Sequence, residues 1–171
     1  MEVSDRIVIF SKGHLEQIGS PREVYEQPTN EFVARFIGVM NVLELEVNKG
    51  VGRVGELLFP TPGRVDGEKV RIGFRPFAVQ ISPEIKQFPY PAIIRKTFFL
   101  GIMLRLELEL PSGVILRSRM TKEEYASLAL YDGRNVSLQI RNYRVLAAEH
   151  EPLGPELTTP ERASLYVGEG I

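Results

Sequence analysis

The chain has 171 residues, of which 43% are hydrophobic and 25% charged, with a net charge of −1 and no cysteine. That length suits one modest domain with appendages, or two small units. The composition excludes disulfide frameworks, thiolate metal sites and cysteine nucleophiles, and it lacks the basic excess with which a general nucleic-acid binder neutralises phosphates.

No apolar run approaches the ~20 residues of a membrane-crossing helix. The start, Met1-Glu2-Val3-Ser4-Asp5, is polar and acidic, unlike a secretory signal. Residues 6–10 (Arg-Ile-Val-Ile-Phe) form a continuous apolar run that predicts a buried strand. Ser11-Lys12-Gly13-His14 reads as a tight turn, and residues 15–19 as the returning strand. Ser20, Pro21 and Glu23 carry the signature of a capping box at the start of a short helix. Pro28 ends that helix. A second begins near Thr29 or Asn30, places Phe32, Val33, Phe36 and Ile37 on one face, and stops at Gly38. Two short strands and two short helices bury too little to offset their ordering entropy. Residues 1–40 are therefore expected to pack on something outside this chain or on a second copy, with Ile7, Ile9, Phe32, Phe36 and Ile37 as the docking candidates.

Residues 41–47 alternate as a strand does, Asn48-Lys49-Gly50 turns, and residues 54–59 read as one further strand. Residues 69–74 predict a strand broken at Arg75-Pro76, with residues 77–81 extended. The stretch from Pro83 to Pro91 holds three prolines and reads as a surface connection. Residues 90–99 lead into the clearest pattern in the chain. Leu104, Leu106, Leu108 and Leu110 alternate with Arg105, Glu107 and Glu109, the mark of a strand with one buried and one wet face. Gly101 is read as a bend in that strand, Pro111-Ser112-Gly113 as a turn, and residues 114–120 as the second arm of a hairpin. Thr121 and Glu124 form a second capping box, opening a helix through Leu130 that Asp132-Gly133 stops. Residues 136–140 and 144–147 are the closing strands. Many short strands, Gly and Pro turns and one late helix predict a mainly β fold, an OB-like barrel over residues 41–150. Residues 151–171, with Pro152, Pro155 and Pro160, read as a tail.

The front segment resembles a known family. Asp5-Arg6-Ile7-Val8, Lys12-Gly13, Gln17-Ile18-Gly19-Ser20-Pro21, Val24-Tyr25, Pro28 and Phe32-Val33-Ala34-Arg35-Phe36-Ile37-Gly38 are similar to the end of the nucleotide-binding domain in ATP-binding subunits of ABC importers. Ile72-Gly73-Phe74-Arg75-Pro76, Phe98-Phe99-Leu100-Gly101 and Gly133-x-x-Val136 resemble motifs of the transport-associated OB domain, abbreviated TOBE, that follows it. The resemblance implies a small α/β remnant of the ATPase domain over residues 1–40, then a TOBE barrel, most like the sulfate/thiosulfate group. Phe77 departs from the pattern, where many relatives carry Glu. No Gly-x-x-x-x-Gly-Lys-Ser/Thr loop occurs to cradle nucleotide phosphates. The expectation is a truncated subunit without ATP hydrolysis of its own. ATP and Mg²⁺ would belong to the full-length protein. The implied partners are a second copy and, through the missing ATPase domain, transmembrane permease subunits, with no nucleic acid. The implied location is the cytoplasmic face of the membrane.

Among the residues that carry chemistry, His14 and His150 are the only histidines, and neither has a second ligand at metal spacing. Glu107 and Glu109 read as the solvated face of a strand rather than an acid/base pair. Arg75, Arg95, Lys96, Arg105, Arg117 and Arg119 allow two readings, an anion site or cross-strand pairing with Glu107, Glu109 and their neighbours. In molybdate-binding members of the family the first strand begins Ser-Ala-Arg-Asn. Here it reads Gly38-Val39-Met40-Asn41, matching only at Asn41. Asn41, Arg75, Lys96 and Gly101 are the ligand-binding candidates. Phe98 and Phe99 are expected in the core rather than as a base-stacking platform. A regulatory and dimerisation region is the expected function. A small OB-fold binder of sulfate, molybdate or single-stranded nucleic acid is the alternative.

Overall fold

The computed structural model describes residues 5–147, which fall into two compact units. The first comprises residues 5–37 with Ala147. Strands β1 (Ile7–Ser11) and β2 (His14–Gly19) pair antiparallel. Lys12 and Gly13 both take positive φ, 49° and 83°, the geometry of a tight hairpin turn whose twist suits the strands. Ser20 caps α1 (Pro21–Glu26): its hydroxyl accepts from the Glu23 N–H at 3.3 Å, and the Glu23 carboxylate accepts from the Ser20 N–H at 2.8 Å. Asn30 starts α2 (Glu31–Ile37), its side-chain oxygen accepting from the Val33 N–H at 2.9 Å. The Ala147 N–H donates to the Thr29 carbonyl at 3.1 Å. Ile9, Val24 and Val33 form the small core, with Ile7, Phe32 and Ile37 packed against it.

The run at residues 6–10 is not buried on both faces. Helices cover only the face that holds Ile9, and on the other face Val8 is 46% and Phe10 63% exposed. The second helix is also turned from its expected setting. Val33 and Ala34 point inward, so Phe36 stacks on Phe32 with ring centres 5.7 Å apart and remains 68% exposed.

The second unit, Gly38–Leu146, contains two five-stranded antiparallel sheets. One runs β12-β6-β3-β4-β5, with β3 at Asn41–Asn48, β4 at Val51–Val54, β5 at Leu57–Pro60, β6 at Lys69–Phe74 and β12 at Arg144–Leu146. The other runs β10-β9-β8-β11-β7, with β7 at Val79–Ser82, β8 at Tyr90–Leu100, β9 at Met103–Glu109, β10 at Ile115–Thr121 and β11 at Asn135–Ile140. A single core joins them, built on Leu45, Ile72, Phe74, Leu106, Leu116 and Leu138. The edges of the second sheet curl toward each other, and the Ser118 hydroxyl donates across them to the Val79 carbonyl at 3.1 Å. Leu104, Leu106, Leu108 and Leu110 are all buried, as their alternation predicts.

Four local expectations are corrected. The strand expected at residues 54–59 is a hairpin, because Gly55 turns at φ 54° between β4 and β5. Residues 76–78 form one turn of 3₁₀ helix, so the extended piece starts only at Val79. Gly101 does not bend a strand. It sits at φ 70° in the turn joining β8 to β9, and the irregularity in their pairing lies between Ile94 and Lys96. The late helix, α3 (Lys122–Ser127), has the expected Thr121–Glu124 box but stops short of Leu130. Ala129 takes φ 49°, and the Leu130 N–H returns to the Tyr125 carbonyl while the Ala129 N–H returns to Ala126. That is a Schellman ending with alanine where glycine is usual. His150 and the tail lie outside the described residues.

Candidate docking and ligand-facing surfaces

The four ligand-binding candidates separate into two places. Asn41 and Arg75 are buried, 7% and 5% exposed, near one end of the barrel. The Asn41 amide donates to the Arg117 carbonyl and accepts from the Arg117 N–H, both at 2.8 Å. One side chain thus engages β10 as a neighbouring strand would, and it ties the first sheet to the second. Arg75 donates to the carbonyls of Gly38 and Val39, at 3.1 and 3.3 Å. The bonds described for both residues run to backbone groups, the geometry of braces.

Lys96 and Gly101 lie instead on the β8–β9 hairpin. Register places Phe98, Arg105 and Arg119 in one row across β8, β9 and β10, and Lys96, Glu107 and Arg117 in the next. The Arg105 guanidinium lies 4.3 Å from the Phe98 ring centre and the Lys96 ammonium 5.1 Å from it. These are cation–π contacts. Phe98 is therefore half-buried beneath charged side chains rather than in the core. Phe99 pairs with Leu104 of β9 where β8 has run beyond its pairing with β11, and it is 70% exposed, with Ile102 in the following turn at 82%. Of the carboxylates expected to neutralise this face, Glu109 pairs with Arg95 at 3.3 Å. Among the described residues, none of the ion pairs takes in Lys96, Arg105, Arg117 or Arg119. The register that makes the patch was not readable from the sequence, because it depends on a one-residue shift between β8 and β9.

The docking candidates of the first unit divide as well. Ile9 is core, and Ile7, Phe32 and Ile37 pack against it. Only Phe36 of the five is largely exposed. The surface that needs cover is made by Val8 and Phe10, with Ile18 and Leu15 directly opposite them across the hairpin. No group of three His, Asp or Glu capable of holding a metal occurs among the described residues, and no described helix is long and apolar enough to cross a membrane.

Comparison with known proteins places this architecture. Over 153 residues the chain is 31% identical to the sulfate/thiosulfate import ATP-binding protein CysA of Bordetella pertussis, covering 87% of the chain and 43% of that protein. It is 33% identical over 147 residues to CysA of Nitrosomonas europaea, covering 82% and 41%. It is 34% identical over 140 residues to the molybdate/tungstate import ATP-binding protein WtpC of Pyrococcus horikoshii, covering 80% and 40%. The chain therefore spans less than half the length of these curated relatives. No family model matches it. The molybdate-bound crystal structure of the cytoplasmic molybdate-binding protein ModG superposes with a TM-score of 0.52 at 16% identity, over 63% of this chain and 96% of that one. At that identity the likeness shows the fold, an OB-like barrel of the TOBE type. Sequence and fold together make the chain a member of the family of ABC-importer ATP-binding subunits, matching part of such a subunit and carrying its TOBE barrel.

Proposed function

We propose that the chain is the regulatory and dimerisation region of an importer's ATP-binding subunit, for sulfate, thiosulfate or another small solute. It carries out no ATP hydrolysis by itself. ATP and Mg²⁺ bind the remainder of the full-length subunit, which also meets the transmembrane permease subunits at the cytoplasmic face of the membrane. The observation that carries this reading is the uncovered apolar face of the first unit. Val8 and Phe10 are each more than 45% exposed on the hairpin face that the helices leave bare, and among the described residues the unit's own buried core is three side chains. Exposed apolar clusters of that kind on a small unit mark a surface that another body covers. Relatives more than twice as long supply a candidate for that cover within one subunit, and a second copy supplies another. Two measurements test the reading. Sedimentation of the purified chain should report a dimer, and ATP turnover should stay at background. A strictly monomeric chain, or hydrolysis above background, contradicts it.

A second reading, an anion-binding OB module, is favoured by the face that holds Lys96, Arg105, Arg117 and Arg119. Four cations there surround one carboxylate, Glu107, on a chain of net charge −1. Sulfate, molybdate and single-stranded DNA are the probes. A saturable response to one of them that disappears in Arg105→Ala would transfer the function to this face.

A further inference from the structure

Gly73, on β6, is flanked in register by Val42 of β3 on one side and Arg144 of β12 on the other. Its backbone does not require glycine, since it takes no positive φ. The requirement is space. A Cβ placed there would lie 2.7 Å from the Met40 sulfur and 2.9 Å from Leu146 Cδ1, well inside contact distance. Both residues are buried, at 7% and 5% exposure. Met40 belongs to the segment by which the chain enters the barrel unit, and Leu146 is the last residue of that unit. The entry and the exit thus pack side by side on one glycine. Two residues on, Arg75 fixes the entry segment again, through the carbonyls of Gly38 and Val39. Asn41 then anchors it to β10.

We propose that Gly73 and Arg75 form a clamp that holds the entry segment, residues 38–41, and the exit at Leu146 as one mechanical element. Whatever shifts the β6 corner loosens both together. The two chain connections of the barrel unit then respond as a pair to a change inside it, which is what a regulatory unit needs in order to pass a signal along its own chain. The use of the clamp in regulation rests on the function proposed above; its mechanics do not. A buried guanidinium suits this task. It is always charged, presents several donors in a fixed fork and holds two carbonyls at once.

Hydrogen exchange on the whole chain tests the clamp. In Gly73→Ala the added methyl displaces the ends of both Met40 and Leu146. Exchange should accelerate about tenfold in residues 39–42 and in residues 144–146, the scale expected from losing one or two net hydrogen bonds locally. Leu106 and Leu108, in the barrel core, should keep their protection. Acceleration at one connection alone, or at neither, overturns the proposal. If Gly73→Ala exposes the core as well, Arg75→Lys gives the answer. It weakens the bonds to the Gly38 and Val39 carbonyls at the entry, so faster exchange at Leu146 supports the clamp and unchanged exchange there refutes it. An ATP-hydrolysing or monomeric chain would end the functional reading while leaving these exchange outcomes as they are.

Discussion

The side-chain amide of Asn41 engages both backbone groups of Arg117, each at 2.8 Å, from the opposite sheet of the barrel. β10 is an edge strand, and its outward N–H and C=O groups would otherwise have no strand partner at this point. Asn41→Ala removes both bonds and leaves a gap where a buried amide stood. The expected loss is about 1–3 kcal/mol in urea unfolding. Asn41→Asp should be at least as damaging, because a carboxylate can accept from the N–H but faces the carbonyl with like charge. A Asn41→Asp protein as stable as the parent would show that the two sheets do not depend on this brace.

Arg105 and Arg119 stand directly opposite each other on β9 and β10. Like charges in that arrangement are destabilising by roughly 0.2–1 kcal/mol. Arg119→Glu converts the repulsion to attraction and should raise the thermal midpoint at low salt, with the gain shrinking in high salt as screening sets in. If the melting temperature does not rise, Phe98 beneath Arg105 already relieves the repulsion, and the case for an anion at this face weakens.

Ala129 occupies the left-handed position of the α3 ending, where its Cβ is crowded. A left-handed residue other than glycine costs about 1–2 kcal/mol. Glycine gives back part of that through the freer unfolded chain, by roughly 0.4–1 kcal/mol. Ala129→Gly should therefore stabilise the barrel by about 0.5 kcal/mol, read as a higher urea midpoint at unchanged slope. A lower midpoint would mean that the methyl group packs usefully despite its backbone setting.

The same helix illustrates what a sequence discloses. Its start was legible, because Thr121 and Glu124 satisfy one another's backbone groups within four residues. Its end was not, because alanine gives no local sign of a left-handed turn. The leucine alternation from Leu104 was legible for a similar reason: period two needs only one buried face. The apolar run at Phe98 and Phe99 reads as core in the sequence, because it does not reveal that β8 continues beyond its pairing with β11 and places Phe98 opposite Arg105. Asn41 and Arg75 stand out in the sequence as ligand-binding candidates, and the bonds described for them run to the backbone, Arg117 being 76 residues away from Asn41. Those partners follow from tertiary closure, and no spacing rule reports them.

Glu23 links helix capping to pH. Its carboxylate is held below the usual value of 4.5, first by the backbone N–H of Ser20 and second by the Ser20 hydroxyl. A carboxylate whose folded pKa lies below its unfolded value contributes stability above the unfolded value. That contribution is lost as the pH falls through the folded value. In Glu23→Gln the amide can still complete the box but carries no charge, so helix α1 should lose this acid dependence and, at neutral pH, the part of its stability that the carboxylate contributes. A carboxyl titration followed by NMR gives the direct reading, with the Glu23 midpoint expected under 4.5. A midpoint at or above that value would mean that the Ser20–Glu23 contact is not maintained in solution, and α1 would then owe its start to Pro21 and to the packing of Val24 alone.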